Sequence, residues 1–281
     1  MPTLKEIKGR IGSVQSTLKI TSAMKLVSSA KLRKAQSAIE NMRPYQEKLQ
    51  EILALSSSSG LSRGSQSGGG TVIVAIASNS SLCGGFNANA IAKAKEILKE
   101  HPGATVYSVG RKMADAMRKA GYPSPKDFTA LSEHPSYAPV SELVDKFIED
   151  DAQVILVYNH FVSTGKQVPV AEPLISSSAE ASDTPQSSFA GLTGESVDVI
   201  VEPSKKELLE ALYPKTLKIK LFAALLDSAA AEHAARTVAM QTATDNGEDL
   251  LAELTLQYNK GRQQKITNEI LDLAGGQQAR D

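Results

Sequence analysis

The segment of residues 78–87 is the first place where residue types and spacing could do chemistry. It carries Cys83, a potential nucleophile, directly before Gly84 and Gly85. It lies between a predicted strand and a predicted helix, where phosphate-binding loops of nucleotide sites are found. However, it lacks both the dinucleotide fingerprint and the Gly-Lys-Ser/Thr ending of a phosphate loop, and no base can be assigned to activate the thiol. The pattern therefore favours a tight turn with a buried Cys83.

No other residues have the spacing of a catalytic or metal site. The single cysteine excludes an intramolecular disulfide and a Cys-rich metal centre. The histidines lack metal-ligand spacing, and His233, among alanines, is expected to be a packing or interface residue. We therefore expect no catalytic residue, no metal and no cofactor. The four histidines are His101, His134, His160 and His233.

A run of basic residues between Ile7 and Ile39 is the strongest charge pattern, because no acidic residue interrupts it. The whole chain has 31 basic and 31 acidic residues, which excludes a globally basic nucleic-acid-binding protein. A solvated helix face usually interleaves both signs, so this run predicts an acidic protein surface, anionic lipid or nucleic acid as partner. Nucleic acid is the weakest choice, because no aromatic residue is interleaved. The run comprises Lys8, Arg10, Lys19, Lys25, Lys31, Arg33 and Lys34.

The basic run lies on a long predicted helix from about Leu4 to about Leu55. Its apolar residues are spaced by four and three, as in a coiled coil. About 50 helical residues span about 75 Å, which is too long for a compact domain, so this helix needs a partner helix or a protein sleeve. The apolar stripe comprises Ile7, Ile11, Val14 and Leu18, then Leu32, Ala35, Ile39 and Met42.

The middle of the chain alternates strand and helix patterns after a Ser- and Gly-rich linker at residues 56–70. This alternation predicts an α/β domain with a mostly parallel sheet. An exposed loop is predicted at residues 176–196. Strands are predicted at residues 71–77, 105–109, 152–158, 167–171 and 197–201, and helices at residues 87–100, 112–120 and 140–149.

A second long helix begins near Ser204, which has capping-box spacing to Glu207. Pro214 is expected either to kink this helix or to open the next one. Small residues line a seam on this helix and the middle of the first, which favours close antiparallel pairing. If the two helices pair from the domain outward, the second extends about 20 residues, or about 30 Å, beyond the first. The stripe of this helix, which is small-sided in its middle at residues 228–235, comprises Leu217, Leu221, Ala224, Ser228, Ala231, Ala235 and Val238.

The predicted fold class is therefore α/β, with a long antiparallel coiled coil of the terminal helices and a central Rossmann-like α/β domain at one end. We expect an N-terminal coiled-coil helix at residues 1–56, the globular domain at residues 71–203 and a C-terminal coiled-coil helix at residues 204–281. An apolar fraction of 41% is too high for a wholly disordered chain. No signal peptide or membrane-spanning run is evident, so a soluble protein is expected.

Both ends and the middle of the chain resemble the γ subunit of F-type ATP synthases. Residues 11–25 and 30–36 closely resemble its N-terminal helix, and residues 81–87 its central motif. Residues 232–246 and 258–275 are similar to its C-terminal helix. The matches are in the expected order and cover essentially the whole chain. Residues 79–81 depart from the family's usual Asp-Arg-Gly, and Gly261 replaces a better helix former.

The resemblance implies a non-catalytic central rotor subunit, present once per complex. In this family the coiled coil turns inside a ring of α and β subunits. The globular end sits with the ε subunit on the membrane ring of c subunits, and proton flow through that ring drives ATP synthesis at the β-subunit sites. The implied location is peripheral, on the cytoplasmic side of a cell membrane. The unextended N-terminus favours a bacterial source, and a mitochondrial or plastid inner face stays open.

The resemblance also implies contact residues on both long helices. The basic run would face acidic β-subunit loops, and a lone apolar tip with Ile266, Ile270 and Leu273 would suit a hydrophobic sleeve. Glu202 would contact the c ring. Met24 and Lys25 are expected near the same level of the shaft as the C-terminal contacts. The implied β-subunit contacts are Met24, Lys25, Arg262, Gln263, Thr267 and Glu269.

Two alternatives stay open at the level of sequence. A coiled-coil adaptor with an α/β head would bind nucleic acid through the basic helix, and this binding would be salt-sensitive. An enzyme with a nucleotide site at residues 83–85 would bind ATP or NAD as the isolated chain.

Overall fold

The computed structural model describes residues 3–57, 70–175 and 204–278 and confirms the predicted α/β class with long terminal helices. A four-stranded sheet lies between the two long helices in the sequence. The elements are α1 (Leu4–Ser57), β1 (Thr71–Ile76), α2 (Phe86–Glu100), β2 (Thr105–Val109), α3 (Arg111–Lys119), α4 (Thr129–Glu133), α5 (Tyr137–Glu149), β3 (Gln153–Ser163), β4 (Lys166–Ile175) and α6 (Lys205–Gln278).

The chain forms two compact units, and both long helices contribute to each. One unit comprises residues 1–30 and 236–281, and the other comprises residues 31–235. We call them the terminal unit and the sheet unit. The domain boundaries expected from the sequence, at residues 1–56, 71–203 and 204–281, stay a prediction.

The sheet has the strand order β2-β1-β3-β4, with β1 parallel to both β2 and β3 and with β4 antiparallel to β3. The expectation of a mostly parallel sheet is therefore confirmed. Side chains of β1 alternate between two cores. Val74 joins the core formed with α4, α5 and α6, whereas Ile73 joins the core formed with α2 and α3. Burial on both faces explains why this strand reads as a continuous apolar run.

Several elements differ from the sequence-based expectation. β3 continues to Ser163, five residues past the predicted end, and the short helix α4 was not predicted. Pro214 lies inside α6, so the alternative that it opens a separate helix is wrong. Packing of Leu217 and Leu221 in the core stabilises the helix just after this proline. Residues 58–69 of the linker, the predicted loop at 176–196 and the predicted strand at 197–201 lie outside the described residues.

The start of α6 has the capping box expected from its sequence. The backbone N–H of Glu207 donates to Ser204 Oγ at 3.3 Å, and Ser204 Oγ donates to Glu207 Oε1 at 3.2 Å. α1 begins with the reciprocal pair of backbone donors, because the N–H of Thr3 donates to Glu6 Oε2 at 2.8 Å and the N–H of Glu6 donates to Thr3 Oγ1 at 3.3 Å. These contacts satisfy N–H groups that the first helical turn leaves without partners.

Gly110 joins β2 to α3 where the chain cannot accept a side chain. Its φ is +92°, and a Cβ atom would overlap the carbonyl oxygen of Ala77. We expect Gly110→Ala to lower the free energy of unfolding of the purified chain by about 3 kcal/mol, measured by urea denaturation. Gly121 is the matched control, because its φ is +89° with open space around it, and Gly121→Ala should cost about 1 kcal/mol. Equal losses at the two positions would contradict the steric part of this explanation.

Candidate partner-binding surfaces

α1 and α6 pair closely and antiparallel in the terminal unit. Thr244 Oγ1 donates to Thr21 Oγ1 at 2.9 Å. One turn further along α6, Leu18 lies over Gly247, where a Cβ atom would meet Leu18 Cδ2 at 2.7 Å. Residue numbers fall along α1 as they rise along α6. The antiparallel pairing expected from the small-residue seams is therefore observed here.

The same two helices pair in the sheet unit. Leu32 of α1 is 7% exposed and packs on Ala230 and Ala234 of α6, with Ala35 and Ile39 beside it. Leu32, Ala35 and Ile39 belong to the stripe predicted from the sequence. Alanine on the facing helix leaves room for the leucine side chain, so contact requires close approach of the two backbones.

α6 continues past the level at which α1 begins. Leu4, the first residue of α1, lies over Gly261, where a Cβ atom would be 3.1 Å from Leu4 Cδ2. All side chains at residues 262–271 are exposed, whereas α6 ends only at Gln278. The overhang predicted for the second helix is therefore observed. Gly261 also has a packing role, because Leu4 occupies the space above it.

The overhang of α6 presents a mixed surface. Ile266, Ile270 and Leu271 are exposed apolar residues. The predicted contact residue Glu269 pairs with Lys265 at 3.6 Å. Arg262 has no ion pair within residues 3–57, 70–175 and 204–278. The structure brings Arg262, Gln263, Thr267 and Glu269 onto this one exposed segment, and the side chain of Leu273 lies outside the described residues.

Met24 and Lys25 do not lie at the level of Arg262. They are half-buried on α1, three and four residues beyond Thr21, whose partner is Thr244. That pairing places Met24 about 20 residues of α6 away from Arg262, or about 30 Å. The expectation that these residues share one level is wrong. Close contacts at glycines set the register of the two helices, and the apolar spacing of each helix alone does not define it.

The seven basic residues of α1 are accessible along the helix, and we call this set the basic face. Six of them are exposed, and Lys25 is half-buried. In the described part of the chain none of the seven makes an ion pair. Charges of one sign without internal partners attract an acidic surface. The basic face comprises Lys8, Arg10, Lys19, Lys25, Lys31, Arg33 and Lys34.

The turn at residues 78–87 packs against α6. Cys83 is 1% exposed and lies with Phe86 against Ala231 and Ala235. Its Sγ accepts a hydrogen bond from Asn87 Nδ2 at 3.1 Å. The prediction of a buried Cys83 in a tight turn is confirmed. Ala231 and Ala235 of α6 therefore cover this turn.

Asn79, at the position where the sequence departs from the resembled pattern, has an intramolecular role. Its Nδ2 donates to Thr129 O of α4 at 2.8 Å, and its Oδ1 accepts from the backbone N–H of Arg111 at 3.0 Å. Arg111 is the first residue of α3. Asn79 therefore occupies an N–H group that a phosphate would otherwise use at this helix start.

Other kinds of site are not evident in the part of the chain that the structure describes. No three His, Cys, Asp or Glu side chains there are grouped so that they could hold a metal ion. His233 is half-buried on α6. Among the described helices, none combines the length and apolar character needed to cross a membrane.

Comparison with known proteins decides the family. A family model described as ATP synthase matches residues 3–279. An ATP synthase gamma chain from Phocaeicola vulgatus is 47% identical, with 99% of this chain and 100% of the relative covered. One from Bacteroides fragilis is 45% identical, again with 99% and 100% covered. The chain belongs to the ATP synthase gamma chain family. The prediction of this family is confirmed, and the nucleic-acid-binding alternative finds no support.

Solved structures support the same fold for this gamma chain family member. A chain in the cryo-EM structure of the Euglena gracilis mitochondrial ATP synthase OSCP/F1/c-ring has a TM-score of 0.71 at 20% identity, covering 98% of this chain and 94% of that one. A rotor chain of the same mitochondrial enzyme gives 0.67 at 20% identity, covering 94% and 98%. At this identity the likeness concerns the fold.

The close contact of Leu18 with Gly247 can be tested with a matched pair of glycines. Gly12 on α1 has nothing within 4 Å of the position that an added methyl group would take, so Gly12→Ala should stabilise the chain by about 1 kcal/mol through helix propensity. Gly247→Ala should give no such gain, because its methyl group meets Leu18. Urea denaturation of the two variants measures the difference. Equal stabilisation by both would contradict close packing at Gly247.

Proposed function

We propose that this gamma chain family member is the central rotor subunit of an F-type ATP synthase. It carries no catalytic site itself and needs no cofactor. One copy per complex couples proton flow through the c ring to ATP synthesis at the β-subunit sites. Its partners are the α and β subunits, the ε subunit and the c ring, and nucleic acid is not among them. Identity to gamma chains over the whole length of the chain supports this proposal.

The unequal length of the paired helices carries the proposal. A rotor that drives β-subunit sites through different states must be asymmetric about its axis. Beyond Leu4 a single helix continues, so the cross-section changes from two helices to one. Exposed Ile266 and Ile270 on this single helix suit an apolar sleeve formed by the surrounding subunits.

The basic face is the proposed electrostatic contact with acidic β-subunit loops. Six of its seven residues are exposed, and all seven lack ion pairs within the described part of the chain, so their charge is available to a partner. Exposed pairs contribute about 0–1 kcal/mol each, so the effect depends on the whole face. Because the attraction is spread over several charges, the shaft can rotate past the β subunits without binding tightly at any one residue.

Two further sets of contacts follow from this function. On the overhang, Arg262, Gln263, Thr267 and Glu269 contact a β-subunit loop. Met24 and Lys25 contact β at a second level, about 30 Å away by the helix rise.

The α/β domain, proposed as residues 71–203, meets the ε subunit and the c ring. Glu202 is its proposed c-ring contact and lies outside the described residues. The complex places the chain on the cytoplasmic side of a bacterial cell membrane as a peripheral subunit. Purification from the source should recover it with α and β subunits in a large ATPase.

Reversing several charges of the basic face tests its role. We expect Lys31, Arg33 and Lys34 changed together to Glu to permit assembly but to reduce ATP-driven proton pumping several-fold. Like charges would then face each other, whereas single Lys→Ala changes should have small effects. Pumping is measured in membrane vesicles. The control triple variant places Glu at Lys95, Lys99 and Lys119, which are exposed on α2 and α3. Normal pumping by the first variant, with loss of DNA binding by the isolated chain, would favour the adaptor alternative.

Arg262→Ala tests the contact on the overhang. In this variant, coupled ATP synthesis in vesicles should fall more than the amount of assembled complex. Arg262 is exposed, so its loss should affect the contact with the β subunit more than folding. Lys265→Ala is the control, since its charge already pairs with Glu269 on the same helix. Synthesis at the wild-type rate per assembled complex would count against this contact.

A further inference from the structure

The outer part of the β3–β4 hairpin extends beyond the rest of the sheet. β1 pairs with β3 only as far as Val157, whereas β3 and β4 continue to pair from Tyr158 and Val170 to Ser163 and Lys166. We call residues 158–170 the ribbon. A two-stranded ribbon is marginally stable alone and requires packing against another element.

Phe161 anchors the ribbon on both long helices within the sheet unit. It packs against the cluster that contains Cys83 and Ala231 and against the cluster that contains Leu32 and Ala230. Phe161 thus joins α1, α6 and the turn at residues 78–87. Apolar packing of this kind is not directional, so it brings the elements together without defining the rotation of α6 about its own axis.

Asp227 supplies a directional contact between α6 and the ribbon. Its side chain is 16% exposed. Oδ1 accepts a hydrogen bond from the backbone N–H of Phe161 at 3.2 Å, and Oδ2 lies 2.5 Å from His160 Nδ1. Burial raises the pKa of the Asp227 carboxyl, and the neighbouring His160 opposes this shift. A carboxylate in such surroundings depends on its donors, so losing them weakens the junction.

Two other polar contacts fix α6 closer to the centre of the sheet. Lys218 Nζ pairs with Asp145 of α5 at 2.7 Å, and Lys220 Nζ donates to Pro173 O of β4 at 2.7 Å. These contacts lie about two turns before Asp227 along α6. Asp227 adds a polar contact between α6 and the outer part of the ribbon.

We propose that the ribbon is a torque joint, in which Asp227 and Phe161 are positioning residues that prevent α6 from turning about its axis against the sheet. This inference rests on the proposed rotor function. Torque applied to the sheet passes into α6 through directional contacts at separated points. The ribbon adds the contact furthest from the sheet centre, and so increases the length of helix over which torque is resisted.

Amide hydrogen exchange on the purified full chain tests the joint without partners. In Asp227→Ala the amides of residues 159–168 should exchange about tenfold faster than in the wild type, because a hydrogen bond to a charged group is lost. Asp227→Asn keeps an acceptor for the Phe161 N–H and should restore much of the protection. His160→Gln should give an intermediate result, and His134→Gln, at an exposed histidine away from the ribbon, none. Unchanged exchange in Asp227→Ala would overturn the proposal.

Function is then measured in the assembled complex. Asp227→Ala should lower ATP-driven proton pumping against a gradient several-fold while ATP hydrolysis without a gradient stays near normal. A merely structural defect would lower both rates through lost assembly. Faster exchange with unchanged pumping would overturn the torque role. If the wild-type chain fails to assemble with α and β subunits, the proposed rotor function is wrong, and the exchange result on the isolated chain still reports on the ribbon.

Discussion

Close approach of α1 and α6 across small side chains is the interaction on which the rest of the structure depends. An isolated long helix in water is stabilised weakly, and most helix stability comes from packing along one face. Here Leu18 packs on Gly247, and Leu32 packs on Ala230 and Ala234. Small partners allow contact without a wide apolar interface. The remaining faces of both helices are therefore free to carry charge.

The pairing also determines which residues are available to partners. α1 begins with Leu4 over Gly261, so the side chains of α6 described beyond that level, at residues 262–271, are exposed. If the two helices ended at the same level, no single-helix segment would be exposed at this end. Most of the basic face lies off the apolar stripe for the same geometric reason, since one side of α1 is committed to α6. The contact between α1 and α6 thus determines where α6 begins to stand alone and which side of α1 is exposed.

Much of the fold could be predicted because its signals are local. Periods of three and four residues define the long helices, and the apolar run of Thr71–Ile76 defines a strand buried on both faces. The ribbon was missed because Asn159 and His160 interrupt the apolar pattern, and their roles depend on distant Phe86 and Asp227. The predicted level of Met24 relative to Arg262 was wrong. That level is set by glycine contacts between two helices that are far apart in sequence.

The contact between Thr21 and Thr244 joins residues 223 positions apart in the chain. During synthesis at about 5–20 residues per second, α1 leaves the ribosome on the order of 10–45 s before its partner exists. For that interval its apolar stripe has no α6 to cover it. Like charges along the nascent helix repel other copies of the same segment, which opposes association of unfinished chains. Because α1 is synthesised long before α6, its apolar stripe must stay unpaired during synthesis, although it is covered in the folded protein.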